Sequence, residues 1–516
     1  MVRSHEFEAE GTVRRLKVLS LAGLVAIAAG GCQSYERRPP DLPGHQSAFL
    51  ARTPESSEVR AFAESLAAKS TGSSGEAVAF DPRDGISCGE AEVIAVVFNA
   101  DLRVARLRAG VTQATAENAG LWEDPTIGVD LTRIIQSTAV PWEAFTSVGL
   151  TIPISGRLEI EKQRAGVEHA AELARVAQRE WSVRMSVRRA WSEWSAMDAQ
   201  LAVTRDFSSR VDQILSVVDK MELAGEMARI EARLFRIEKA TKAADLALLE
   251  SRTREAELRL RQLMGMSPDA PFRLLALGIG PVRIASAPSN TAAHIERSSP
   301  AMLVAAAEYE AAEKALELEV RKQYPDLRIG PGFGTENELE QVLLGLSVPI
   351  PILNANRRGI AEARAQREVA RAAAEAALEQ TVAALRAAEV RLAAAAQRRS
   401  TLETEIVPLV DAQYVDARQV ARLGEVNTLV LLESLTRLQA AKVGLVEAAR
   451  DEAIAAIDLD EIFGPVPSVW PSTPAPLHKP DGGSAAPGVS YSITAPTPTR
   501  PPAAPAADRL VTRNTP

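Results

Sequence analysis

Over most of the chain, hydrophobic residues recur at spacings of three and four. From Glu159 to Leu223 there is no proline and a single glycine, Gly166, while alanine and charged residues dominate. Val187, Trp191, Trp194 and Leu201 form one set at coiled-coil spacing. Phe207, Val211, Ile214 and Val218 form a second, with a phase shift between them. The pattern predicts one helix of roughly 65 residues, about 100 Å long at the α-helical rise. Globular helices seldom exceed about 25 residues, so the chain is built on very long helices. Gly225 interrupts the pattern, and a second helical stretch runs from Glu226 to Met264, stopping at Gly265. Helical spacing returns over Pro300–Lys322, Asn356–Arg422 and Glu425–Ile462. The seam of the middle stretch is Leu378, Val382, Leu385 and Leu392, and Pro408 inside it predicts a kink or a break. Ser87-Cys88-Gly89-Glu90 has the form of a capping box, so a helix is expected from there to about Leu121.

Short segments between the helices alternate with period two. Ile127, Val129 and Leu131 oppose Gly128, Asp130 and Thr132. Val148, Leu150 and Ile152 oppose Ser147, Gly149 and Thr151. Leu327, Ile329 and Phe333 oppose Arg328, Gly330 and Gly332. Leu344, Leu346 and Val348 oppose Gly345 and Ser347. One apolar face and one polar or glycine face is the signature of a membrane barrel strand, and equally of a soluble hairpin packed on one side.

These landmarks occur twice. Asp124-Pro125-Thr126-Ile127-Gly128 resembles Pro325-Asp326-Leu327-Arg328-Ile329-Gly330. Gly149-Leu150-Thr151-Ile152-Pro153 matches Gly345-Leu346-Ser347-Val348-Pro349. Leu223-Ala224-Gly225-Glu226 matches Leu423-Gly424-Glu425, and Met264-Gly265 matches Phe463-Gly464. Pro125 and Pro325, Pro153 and Pro349, Gly225 and Gly424, and Gly265 and Gly464 lie 200, 196, 199 and 199 positions apart. The chain is a duplication of one unit: helix, two strands, very long helix, glycine turn, long helix. The expected fold is mainly α with a small β part. Four strands cannot close a barrel alone, and an open edge is not viable in lipid, so a barrel would need several protomers.

The ends carry different signals. Arg14, Arg15 and Lys17 precede a 12-residue apolar run, Val18–Ala29, too short to span a bilayer and of the length of a secretory h-region. Glu6, Glu8 and Glu10 ahead of it are unusual for a signal n-region. The run ends Ala29-Gly30-Gly31-Cys32, which resembles a lipoprotein cleavage site and makes Cys32 the expected lipidated residue. In the sorting pattern this resembles, Gln33 rather than Asp favours the outer membrane. The sequence divides into a signal segment (1–31), an N-terminal extended segment (32–85, with one short helix over Ser57–Lys69), a first repeat (86–290), a second repeat (291–464) and a tail (465–516). The tail holds 13 of the 31 prolines and has no apolar periodicity, which reads as disorder.

Composition removes several functions. Of the 516 residues, 46% are hydrophobic and only 4% aromatic, and the net charge is −8. An acidic chain without a basic cluster is a poor nucleic-acid binder. Two cysteines, Cys32 and Cys88, give no disulfide framework, and five scattered histidines have no metal-ligand spacing. No nucleophile motif or phosphate-cradling loop is present, so nothing calls for an enzyme or a cofactor. Glu/Arg runs such as Arg252–Arg261 read as helix faces with i,i+4 pairs, and Trp181, Trp191 and Trp194 as packing between helices.

Ala119-Gly120-Leu121-Trp122-Glu123-Asp124-Pro125, Leu346-Ser347-Val348-Pro349-Ile350-Pro351-Ile352 and Ile406-Val407-Pro408 ahead of Gly424-Glu425 stand in an order and duplication that resemble the TolC family of outer-membrane efflux channels. The likeness runs from about Ile86 to Gly464 and is nearest in kind to lipoprotein members such as CusC and CzcC. It implies a trimer with a 12-stranded barrel in the outer membrane, four strands from each protomer, continued by a periplasmic α-helical barrel. Pro153 and Pro349–Pro351 would mark strand-to-helix junctions. Gly225, Glu226, Gly424 and Glu425 would be the tip turns that dock a periplasmic adaptor bound to an inner-membrane RND-type pump. The resemblance also makes Glu231 and Glu433 candidate pore-constriction residues, with Val430 where the family carries a third acid. The function implied is export of the pump's substrates across the outer membrane, with heavy-metal cations as the expected cargo. A multidrug or solvent duct of the same family, and a structural coiled-coil periplasmic lipoprotein, are the alternatives.

Overall fold

The structure is a computed structural model. It describes residues 35–70, 80–135, 142–278, 291–336, 339–422 and 428–465. Cys32, Gly424, Glu425, the signal segment and the proline-rich tail therefore lie outside the described residues.

The element order repeats. The first unit runs α3 (Cys88–Phe98), α4 (Ala100–Glu117), β1 (Thr126–Arg133), β2 (Trp142–Ile152), α5 (Arg157–Leu223) and α6 (Arg229–Leu263). The second runs α7 (Thr291–Ser298), α8 (Pro300–Arg321), β3 (Leu327–Glu336), β4 (Leu339–Ser347), α9 (Arg357–Thr401), a π turn (Leu402–Ile406), α10 (Val407–Arg422) and α11 (Thr428–Phe463). Two further helices, α1 (Leu42–Leu50) and α2 (Ser57–Ser70), precede them. The chain is thus mainly α with one antiparallel four-stranded sheet in the order β1-β2-β3-β4. At 67 residues, α5 is about 100 Å long.

The duplication extends to single glycines. Gly265 follows α6 at φ +67°, and a Cβ there would meet the Phe98 carbonyl oxygen at 2.3 Å. Gly464 follows α11 at φ +78°, and its Cβ would meet the Ser298 carbonyl oxygen, also at 2.3 Å. Phe98 and Ser298 end the equivalent helices α3 and α7, so the same close approach is built twice. Only glycine fits both the left-handed backbone and the contact. The first unit is closed by its own ends, since Ile86 N–H donates to Arg273 O (2.8 Å) and Leu275 N–H to Ile86 O (2.9 Å).

The capping box forms as read. Glu90 N–H donates to Ser87 Oγ, and Ser87 N–H donates to Glu90 Oε2 at 2.8 Å. The expected single helix to Leu121 is instead two. The chain breaks at Asn99, whose backbone is non-helical, whose Oδ1 caps α4 and whose Nδ2 donates to Leu263 O (2.9 Å). The expectation of irregular chain before Ser57 also fails at α1. There, Asp41 Oδ1 accepts from Gly44 N–H, and tertiary contacts hold a segment of weak helix propensity: Arg52 donates to Gly265 O (2.7 Å) and lies over the Phe49 and Phe98 rings.

The main core lies where α3 and α6 pack on the middle of α5. Val187, Trp191 and Trp194 meet Ile94, Leu102, Leu260 and Met264. Trp191 and Trp194 stack edge to face at 5.6 Å, and Trp191 Nε1 donates to Leu275 O. A second core joins Leu385 and Leu392 of α9 to Ala455, Ala456 and Leu459 of α11. Leu378 and Val382, from the same expected seam, stay about 40% exposed.

Candidate functional site

The sheet is the first half of the site. The register is continuous in each hairpin, with Ile127 opposite Val148 and Ile329 opposite Leu346. Between the hairpins, β2 pairs with β3, Ser147 opposite Gly332 and Leu150 opposite Ile329. One face therefore gathers Ile127, Val129, Leu131, Val148, Ile329, Phe333, Val342, Leu344 and Leu346, as the alternation predicts. It is open to the surroundings: Leu131 is 68%, Leu344 72% and Val342 83% exposed. So contiguous an exposed apolar surface marks an interface with lipid or another chain. The eight residues of β1 cover about 25 Å, the height of an outer-membrane apolar band. Aromatics flank it. Trp142 stands at one end under the Arg133 guanidinium, 5.5 Å from the ring, and Trp122 and Tyr324 lie exposed at the other. The opposite face carries Gly128, Asp130, Glu143, Phe145, Ser147, Arg328, Gly332, Gly334 and Gln341, with Leu339 and Leu343 on β4 as its exposed aliphatic residues.

At the foot of the sheet, side chains lock strands to helices. Arg157, in the first turn of α5, donates to Asp326 (2.8 Å) and Glu123 (2.7 Å), and Ser155 Oγ donates to Asp326 (3.1 Å). In the second unit, Asn356 sits at φ +51° ahead of α9, and its Nδ2 donates to both the carbonyl and the carboxylate of Glu319 (2.8 Å each). Burial works against ionisation of Glu319. Hydrogen bonds from Lys322 and Asn356 nevertheless hold its carboxyl below the usual range. Pro153 and Pro349–Pro351 fall at these junctions, as expected.

The far end of the long helices is the second half. After Leu223, Gly225 takes φ +77°. Its N–H donates to Glu222 O (3.1 Å), and Glu226 N–H donates to Met221 O (2.9 Å). This is a Schellman stop. A Cβ on Gly225 would meet nothing, so the backbone angle alone requires glycine. The turn packs through Met227, Ala232 and Phe235 on Leu215 and Val218, with Leu432 of α11 against the same cluster. A neighbouring cluster joins Phe207 and Val211 of α5 to Tyr414 of α10 and to Leu431, Leu435 and Leu438 of α11. The two helical hairpins therefore lie side by side.

Glu231 is in the first turn of α6, half-buried, beside the buried Ala232. Glu433 is exposed and accepts from Arg437 one turn later at 2.7 Å. Among the described residues, no hydrogen bond or ion pair joins Glu231 to Glu433. Val430 is exposed on the same turn of α11 as Glu433. Among the described residues, no group of His, Cys, Asp and Glu is arranged to hold a metal ion, and no helix is long and apolar enough to cross a membrane.

Sequence reading missed the charged lattice of the middle section. Arg106 and Glu180, both about 5% exposed, pair at 2.6 Å. Glu92 holds Arg184 (2.7 Å) and Arg188 (2.5 Å), and Arg188 reaches Asp460 (3.2 Å). Burial first, and the charge of Glu92 second, push the nearby Cys88 thiol up to about 12. Alternating Glu/Arg in long helices looks solvated in sequence, and the partners lie 70 or more positions apart. The run Arg252–Arg261 behaves as read, with Glu257 pairing Arg254 and Arg261.

No protein-family profile matches this chain, and no curated protein is similar to it in sequence. Solved structures do match. CusC, described in connection with transmembrane channel formation, superposes with a TM-score of 0.63 at 14% identity, over 84% of this chain and 99% of that one. The outer-membrane channel OprN gives 0.64 at 15% identity, over 84% and 98%. The outer-membrane protein VceC of Vibrio cholerae gives 0.59 at 15%, over 73% and 96%. The repeat, the outward apolar sheet and the 100 Å helices together are the fold of the TolC-family outer-membrane efflux channels.

Proposed function

We propose that three copies of this chain close a 12-stranded barrel in the outer membrane, continue it as a helical barrel through the periplasm, and form the exit duct of a tripartite efflux system. The observation that carries this reading is the four-stranded sheet. Its apolar face is turned outward and β1 and β4 end it on both sides. Two open edges are costly in lipid, and joining β4 of one copy to β1 of the next removes them. A structural periplasmic coiled coil has no use for such a sheet.

Within this reading, Cys32 carries the lipid anchor. Gly225 and Glu226 in the first unit, with Gly424 and Glu425 in the second, form the turns that meet the adaptor and its RND-type pump. Glu231 and Glu433 contribute to rings of three carboxylates at the periplasmic mouth, which favour cations. Glu433 is the weaker contributor, since Arg437 partly offsets its charge. Heavy-metal cations are the cargo we assign on this acidic lining. The duct does no chemistry and needs no cofactor, because the pump supplies the work.

The test is growth of a deletion strain on a panel of divalent metals, detergents and antibiotics, with the heat-resistant oligomer assayed from outer membranes. Sensitivity confined to metals, restored by the intact gene, is the expected result. Sensitivity confined to drugs or detergents moves the cargo to the multidrug class. A monomer released from the periplasm in soluble form overturns the duct itself.

A further inference from the structure

On the face of the sheet away from the apolar band, one aromatic ring stands among the described strand residues, Phe145, with glycines, polar side chains and, on β4, Leu339 and Leu343. It lies at the seam between the two repeats, where β2 pairs with β3. Phe145 is opposite Gly334, and Ser147, two positions on, is opposite Gly332. The ring occupies the space above both glycines. A Cβ on Gly334 would meet Phe145 Cδ2 at 2.3 Å, and one on Gly332 would meet Cζ and Cε1 at 2.5 and 2.6 Å. Neither glycine has a positive φ, and although a Cβ would also approach the Ala144 carbonyl oxygen at 2.9 Å from Gly334 and the Thr146 carbonyl oxygen at 3.1 Å from Gly332, the backbone is not the nearest obstacle at either. The ring is. Gly330 and Gly345 on the same face have only distant backbone neighbours, and Gly128 and Gly149 face the hydroxyls of Ser147 and Thr126, so among the strand glycines only Gly332 and Gly334 lie under a ring.

We propose that Gly332 and Gly334 form a notch that stows Phe145 flat against the wall of the duct, and that this stowing sets the bore of the barrel. The inference rests on the reading of this face as the lumen. Side chains on a strand stand roughly perpendicular to the sheet unless something lets them lie down. Here the missing Cβ atoms do so. On the other side of Phe145, Asp130 of β1 stands directly opposite. A ring expelled from the notch therefore has no flat place to go, and its remaining staggered rotamers point it toward the axis. In a trimer that places three rings in the bore at one level. The ring also packs across the β2–β3 seam as far as Gly332, the residue next to the point where Pro331, lacking an N–H, interrupts the ladder. This packing role accounts for an aromatic at the seam, but not for its lying flat in a channel wall.

The test is single-channel conductance of the purified full-length trimer in planar bilayers, for wild type, G334A, F145A and the double variant. G334A is expected to lose roughly a third of the conductance, because three rings enter a bore whose width twelve strands fix. F145A is expected to match or exceed wild type, and F145A/G334A to return to the F145A value. G334A at wild-type conductance, or a loss that persists in the double variant, overturns the notch. Should G334A fail to assemble, thiol labelling in proteoliposomes decides. A bulky charged maleimide is expected to reach Phe145→Cys and not Val129→Cys, with wild type, whose half-buried Cys88 should stay unlabelled, as the control. The reverse labelling overturns the assignment. Wild-type trimers that pass no current overturn the duct reading, and this inference with it.

Discussion

Arg106 and Glu180 form a buried ion pair between α4 and α5. Each is about 5% exposed, and the guanidinium donates twice to one carboxylate oxygen, at 2.6 and 3.0 Å. Truncating one partner strands the other charge away from water. Glu180→Ala is expected to cost about 3–5 kcal/mol, read as a fall in the thermal midpoint of the purified protein. The double replacement by apolar residues of similar volume should recover much of it. Cys88 gives a second residue-scale expectation. With its thiol pushed up to about 12, it stays protonated at pH 8 and should resist iodoacetamide until the chain is unfolded in urea. Glu319 sets a pH dependence. Its carboxyl is held below its unfolded value, so its contribution is present above that value and disappears as the pH falls through the lower, folded one. Asn356→Ala should therefore cost more at neutral pH than in strong acid, where the lost bond to the Glu319 carbonyl and the left-handed backbone still count but the carboxylate does not, as denaturant titrations at the two pH values would report.

The long helices obey their sequence except where one residue forbids it. Pro408 has no N–H for the Thr404 carbonyl, and its ring crowds that carbonyl. The expected kink or break takes the form of a five-residue π turn just upstream, in which Val407 N–H donates to Leu402 O. The helix continues, carrying one residue more than the α repeat allows. That extra residue sets the rotation of α10 and delivers Tyr414 into the cluster with Phe207 and Leu435. Deleting Thr404 is expected to rotate everything beyond it by about 100° and expose Tyr414. Pro408→Ala keeps the register and should keep the packing. Limited proteolysis of the hairpin end separates the two: rapid cleavage of the deletion variant and wild-type resistance of P408A. An equally resistant deletion variant would show that the π turn is dispensable.

For the molecule as a whole, the two faces of the sheet make opposite demands. Leu344→Lys on the apolar face should cost about 2–4 kcal/mol at mid-membrane depth, seen as loss of the heat-resistant oligomer from outer membranes. Thr132→Lys, on the other face and opposite Glu143, should assemble normally. Equal tolerance at both positions would argue that the face is covered by protein rather than lipid. The exposed Leu378 and Val382 of α9 belong to the same scale. They continue the Leu385–Leu392 seam as exposed residues, and in the proposed trimer a neighbouring copy would cover them.

Much of this was legible in the chain itself. Period-3.6 and period-2 patterns are local, so the helices, the strands and their faces follow from residues within a few positions of one another. The duplication needs only self-comparison, and the Ser87 cap only three neighbours. What the sequence could not determine depends on pairs far apart. The break at Asn99 exists because Leu263, 164 positions on, accepts its side-chain amide. α1 has a local start signal in Asp41 and Pro43, but it is the distant Gly265 that fixes its end through Arg52. The Arg106–Glu180 pair looks like two solvated charges until α4 lies on α5. Gly332 and Gly334 look like weak points in a strand until the β2–β3 register brings Phe145 over them. Local patterns state what each segment is. Only the tertiary structure, by fixing register and helix rotation, decided which side chains meet.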